Sequence, residues 1–288
     1  MEYLLLMELK QQDLWVICLG EVKIMARVIE CFKPELVGEI VKYNNTQNRI
    51  QAWDSYGNDS IQTQLSEEFK KLNYTYNYKR GFESRNSILS IENCIQPLLA
   101  FIGKYKDANR SKTAIFESHT LYTDAFEKTK ARHVLFVSCL NSAITRIKAN
   151  NKEKIMSGAA VSETDNRLFE MFTPIKNKAF IISIIAEVLI KLYSDFSDKH
   201  DISFMPNWSD GNVKTYDELV IAITPLTNIV LSQIANYGKP NPLARYYNET
   251  SNVSEIASHI ENMIAMVRNA DSGIDNFITT FATIVSKG

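Results

Sequence analysis

Residues 73–82 read NYTYNYKRGF. Tyr74, Tyr76 and Tyr78 alternate, so in an extended segment their rings share one face. Lys79 and Arg80 follow at once. Aromatic rings beside cations suit single-stranded nucleic acid, where each stacked base contributes ~1–3 kcal/mol. More cations cluster downstream: Arg110 with Lys112, Lys130 with Arg132, and Arg146. Such a set would track a phosphate backbone and release its counterions. Two other readings of the same cations stand beside this one. They form a solvated helix face compensated by acids elsewhere in the chain, or they dock on the acidic surface of a neighbouring copy.

A second constellation lies near the N-terminus. Asp13, Glu21 and Lys23 in DLWVICLGEVK resemble the Asp…Glu-x-Lys pattern of metal-dependent nucleases. There, carboxylates hold Mg²⁺ and the lysine orients water or stabilises charge. The competing reading is a surface strand with an i,i+2 charge pair, since Glu-x-Lys recurs at Glu8/Lys10 and Glu68/Lys70.

Other chemistry is sparse. His119 and His133 lie on one helical stripe, but on a continuous helix 14 residues separate them by ~21 Å, too far to share a metal. Cys18, Cys31, Cys94 and Cys139 have no zinc or redox spacing and read as reduced thiols. There is no Gly-rich phosphate loop, no HExxH and no nucleophile elbow. The residues therefore assign no catalytic group, no metal site and no cofactor.

Charge is unevenly distributed. The chain has 288 residues, 45% of them hydrophobic, and a formal net charge of −1. Residues 1–69 carry net −5, residues 70–154 carry +9 and residues 155–288 carry −5. A near-neutral chain thus contains a strongly basic middle. No apolar run reaches the ~20 residues that span a bilayer. The opening MEYLLLMELK has no basic region ahead of its short apolar run, so it makes a poor signal peptide. These features point to a cytoplasmic protein without membrane contact.

The elements that would carry these residues are mostly helices. Residues 13–32 are the most strand-like stretch, with Gly20 marking a turn. Ile61, Leu65, Phe69 and Leu72 predict a short helix. The stripe from Ile115 through Tyr122, Phe126, His133, Phe136, Leu140 and Ile147 predicts one long helix, or two meeting near 128–132. Residues 148–166 lose periodicity and read as a linker. Thr173-Pro174 opens a helix running to about Phe196. Thr215 to Glu218 matches a capping box, and Pro225 kinks the helix that follows. Two more helices follow, over roughly 254–269 and 273–286.

The fold expected is mainly α and two-lobed, with room for a short N-terminal β-hairpin. Residues 1–154 make an N-terminal lobe containing the basic block 70–154, and residues 165–288 make a C-terminal helical lobe. The leading function is a non-enzymatic, self-associating protein of nucleoprotein type that binds single-stranded RNA. Its contacts would be Tyr74, Tyr76, Tyr78, Lys79, Arg80, Arg110, Lys112, Lys130, Arg132 and Arg146. The alternatives are a helical scaffold that binds protein partners without nucleic acid, and the nuclease built on Asp13, Glu21 and Lys23.

Overall fold

A computed structural model describes residues 12–19, 22–29, 52–79, 89–158, 160–173, 177–192, 204–205, 214–237, 251–267 and 283–284. Strands β1 (Gln12–Leu19) and β2 (Val22–Ile29) form an antiparallel hairpin in which Leu19 pairs with Val22 and Gln12 with Ile29. This is the hairpin for which the β-branched run Val16, Ile17, Val22, Ile24 leaves room.

A 3-10 turn (Ala52–Tyr56) leads into α1 (Ser60–Lys71). Then follow α2 (Ile91–Phe101), the short α3 (Tyr105–Ala108) and α4 (Lys112–Phe116), α5 (His119–Phe126) and α6 (Ala131–Met156). The C-terminal half supplies α7 (Glu163–Phe172), α8 (Asn177–Leu192), α9 (Tyr216–Tyr237) and α10 (Ser251–Val267). Strands β3 (Phe204–Met205) and β4 (Thr283–Ile284) pair antiparallel. The described residues are mainly α, as the helical spacing predicts.

Serine caps place the helix starts. Ser90, Ser111, Ser118 and Ser162 each accept a backbone N–H in the first turn of α2, α4, α5 and α7. Each satisfies a donor that the helix itself leaves open. Lys130 offers α6 no side-chain cap. Instead the Glu68 carboxylate, from α1, accepts the Ala131 N–H at 2.8 Å. The negative charge also suits the positive end of the helix dipole.

Compactness divides the chain at residues 51 and 52. That is not the division expected at 154–165. Helix α6 packs on α9 and on α7, and α8 packs on α2 and on α10. The two expected lobes therefore share one core. Residues 148–156 continue α6, so the break shrinks to 157–162. This end of α6 reads as linker because only a narrow stripe is covered: Ile147 and Asn151 are buried, one turn apart. The Asn151 amide donates to the Asp165 carbonyl at 3.0 Å and ties α6 to α7.

The long stripe over 115–147 breaks at 127–130, as the second alternative expects, and again at 117–118, so three helices share it. Thr173 is the C-cap of α7, not the N-cap of the next helix. The capping box at Thr215 forms: the Thr215 hydroxyl accepts the Glu218 N–H, and the Glu218 carboxylate accepts the Thr215 N–H. Pro225 lies inside a helix that continues past it. The expected helix over 273–286 falls mostly outside the described residues, and Thr283–Ile284 is strand. Helix α9 is long and apolar enough to cross a membrane by composition, with mean hydropathy 1.5 over 18 residues. Half of that window is buried in the core, with Val220, Ile223, Leu231 and Ile234 against neighbouring helices.

Candidate functional site

The tyrosines alternate as the sequence requires, but the face they share is turned to the core. Asn77 forms a parallel bridge with Ser90, which fixes the segment beside the start of α2. Tyr76 is 6% exposed and its ring lies parallel to Phe69 at 5.0 Å. Its hydroxyl donates to Gln62 at 2.7 Å, and the Gln62 amide donates to Tyr122 at 3.1 Å. Tyr122 in turn stacks on Tyr56 at 3.7 Å. Burial pushes the Tyr76 and Tyr122 hydroxyls up from the ordinary phenol value. Tyr74 is half-buried, and its hydroxyl donates to the Lys214 carbonyl at 2.5 Å. Tyr78 is half-buried with its ring near parallel to Tyr76, and the Lys79 ammonium lies 5.4 Å from its centroid. The expectation that all three rings stack bases is therefore corrected: Tyr76 is a core residue. Alternation puts side chains on one face but does not say which face meets solvent.

Some cations of the basic block, Lys104, Arg110, Lys112, Arg146 and Lys154, pair with carboxylates at close range. Arg110 bridges Asp107 at 2.8 Å, and Lys112 bridges Glu92 at 2.9 Å while donating to Asn93 at 3.1 Å. Arg146 pairs with Asp217 of α9, Lys104 with Asp124, and Lys154 with Asp165 at 2.5 Å. Lys154 and the Ser162 cap hold the Asp165 carboxyl down to about 2. Arg110, Lys112 and Arg146 thus each face a carboxylate of their own chain. Arg132 is half-buried in the first turn of α6, and Arg80 lies outside the described residues. A smaller basic corner remains. Lys70 and Lys71 end α1, Lys128 and Lys130 precede α6, and all four are exposed. The Glu68–Ala131 hydrogen bond brings those two chain segments together.

The nuclease constellation falls partly outside the described residues. Asp13 pairs with Val28 and Lys23 with Cys18. Five residue steps at ~3.4 Å each put the acid and the lysine roughly 17 Å apart along the ladder. Glu21 lies outside the described residues. Among the described residues no three His, Cys, Asp or Glu side chains gather as a metal site. His133 is buried edge-on against Phe101, whereas His119 is exposed at the start of α5. Cys94 and Cys139 are free and buried, and burial raises both thiols, Cys94 to about 11.

A polar cleft of about 670 Å³ opens between α2, the α3–α4 segment, α6 and α8. Asn93 and Gln96 line one wall, Asn141 and Ser142 another, and Lys112 and Lys178 supply cations. Lys178 escapes the sequence reading because it sits in an apolar run. Its neighbours three and four residues on along α8 are Ile181 and Ile182. The lack of an acid at that spacing was the available signal.

The fold defines a mainly α protein built on one helical core, with a basic corner and a separate polar cleft. The chain belongs to the AIPR family: the model of that family, described as AIPR protein, matches residues 5–272. No curated protein and no solved structure matches the chain.

Proposed function

We propose that this protein is a non-enzymatic, self-associating binding protein for single-stranded RNA, working in the cytoplasm through its basic corner. The observation that carries the reading is the exposure of Lys70, Lys71, Lys128 and Lys130 beside the Glu68–Ala131 junction, while other cations of the block are engaged by carboxylates. Lys79, exposed with its ammonium over the Tyr78 ring, adds a cation next to a half-buried aromatic.

The test is fluorescence anisotropy with a labelled single-stranded RNA at two salt concentrations. Each phosphate contact on a single strand contributes a slope of ~0.7 in log affinity against log salt. Four contacts give a slope of roughly 2.8, or about fifty-fold weaker binding between 50 and 200 mM salt. Lys128→Gln with Lys130→Gln lowers the slope by about 1.4. Arg110→Gln, whose cation already faces Asp107, leaves the slope unchanged. Absence of salt-dependent binding at low salt removes this reading.

A second reading has its own support. Met156 at 73%, Phe169 at 38% and Ile221 at 62% are exposed large apolar residues, on three helices (α6, α7 and α9) that pack on one another. They favour a helical protein-binding surface, and that reading predicts no dependence on the four lysines.

A further inference from the structure

The cleft between α2, α4, α6 and α8 contains a cation without a counter-ion. On one wall, Lys112 is balanced by Glu92 at 2.9 Å. On the other, the Lys178 ammonium donates to the Thr145 hydroxyl at 2.9 Å. Among the described residues no carboxylate pairs with it. A like charge acts on it, Lys148, whose own ammonium donates to the Phe172 carbonyl. Desolvation first and Lys148 second lower its pKa from 10.5 to about 8. An ammonium has three donors, and Thr145 takes one. A partly buried cation with spare donors and no anion is costly as it stands, and a bound anion would relieve that cost.

The rest of the lining narrows the ligand. The Gln96 amide nitrogen is tied to the Arg110 carbonyl at 2.9 Å, which leaves its amide oxygen as an acceptor. No hydrogen bond engages the Asn141 side chain among the described residues, and it offers both a donor and an acceptor. Ala100, Ala108 and Ala179 keep the cleft unfilled. Among the described residues no aromatic ring lines it, and they offer no stacking surface of the kind a nucleobase uses. Its volume lies within the ~300–1,000 Å³ typical of small-molecule sites.

We propose that this cleft binds a small hydroxylated phosphate ester of the sugar-phosphate class, its phosphate on the Lys178 ammonium and its hydroxyls on Asn141 and Gln96. The site is independent of the basic corner, so it stands or falls separately from RNA binding. A charged hydrogen bond in a partly desolvated cleft supports roughly a tenfold or greater loss when it is removed.

The test is isothermal titration calorimetry of the full chain with ribose 5-phosphate, inorganic phosphate and ribose as separate probes. Expected are one site for ribose 5-phosphate, weaker binding of phosphate, and none of ribose alone. Lys178→Met weakens ribose 5-phosphate about tenfold or more, and Lys178→Arg retains most of the affinity. Asn141→Leu weakens ribose 5-phosphate but leaves phosphate binding as it is. Lys130→Gln changes neither. Thermal melts of each variant separate lost binding from lost folding. No heat with ribose 5-phosphate overturns the proposal. So does undiminished affinity in a folded Lys178→Met variant, or phosphate binding as tight as ribose 5-phosphate.

Discussion

Tyr76→Phe separates a stacking tyrosine from a core tyrosine. The ring stays on Phe69 and only the hydroxyl is lost. That hydroxyl is the donor to Gln62 at 2.7 Å, in a place where Gln62 is itself fully buried. Removing it leaves the Gln62 amide oxygen unsatisfied, which costs about 1–3 kcal/mol. The Gln62 amide still donates to Tyr122 at 3.1 Å, so the glutamine cannot turn to recover the bond without breaking another. For a cooperative unit of about 240 residues, each kcal/mol moves the melting temperature by roughly 2–4 °C. The expected shift is therefore a fall of about 2–12 °C. The assay is a thermal melt by circular dichroism, paired with RNA anisotropy at a temperature where both proteins are folded. RNA affinity stays within error of the parent. An unchanged melting temperature would falsify the placement of the Tyr76 hydroxyl in the core.

Two further predictions concern buried groups. Lys178 has a folded-state pKa of about 8 against an ordinary 10.5, so it binds fewer protons folded than unfolded between those values. The cost of keeping it charged is fully present below pH 8 and is relieved as pH rises from 8 towards 10.5. Lys178→Met therefore stabilises the protein in urea melts at pH 7, and the gain shrinks at pH 9.5; an equal gain at both contradicts the assignment. Cys94 is buried with its thiol raised to about 11, and Cys139 is raised further. Since the thiolate is the nucleophile, both resist a thiol reagent at pH 8 in the native state and react on unfolding. Rapid native labelling at either position would show that the core opens there.

Local rules carried the individual elements. The spacing of Ile61, Leu65 and Phe69 set α1, and the Thr215–Glu218 box set the start of α9. Both depend on interactions within four residues, which a linear pattern displays. The helical class and the N-terminal hairpin follow for the same reason. The basic middle was equally plain as a tally of residues, but its meaning was not. Arg146 meets Asp217 across 71 residues, and Lys112 meets Glu92 across 20. No local pattern reports such pairs, because an ion pair depends on distance in space.

The same limit hid the core face of the tyrosine run. Period-two alternation fixed that Tyr74, Tyr76 and Tyr78 point one way, while Phe69 and Gln62, brought there by the packing of α1, decided that this way is inward. It also hid the length of α6. Its polar C-terminal turns needed only Ile147 and Asn151 on the covered side, so the stripe thinned below what periodicity detects. The cleft around Lys178 exists only because α8 is laid beside α6 and α2, which desolvates its charge and, among the described residues, gives it no paired acid. The sequence by itself determined which segments are helical and where charge is concentrated. Tertiary packing decided which of those charges remain available, because burial and pairing are set by neighbours distant in the chain.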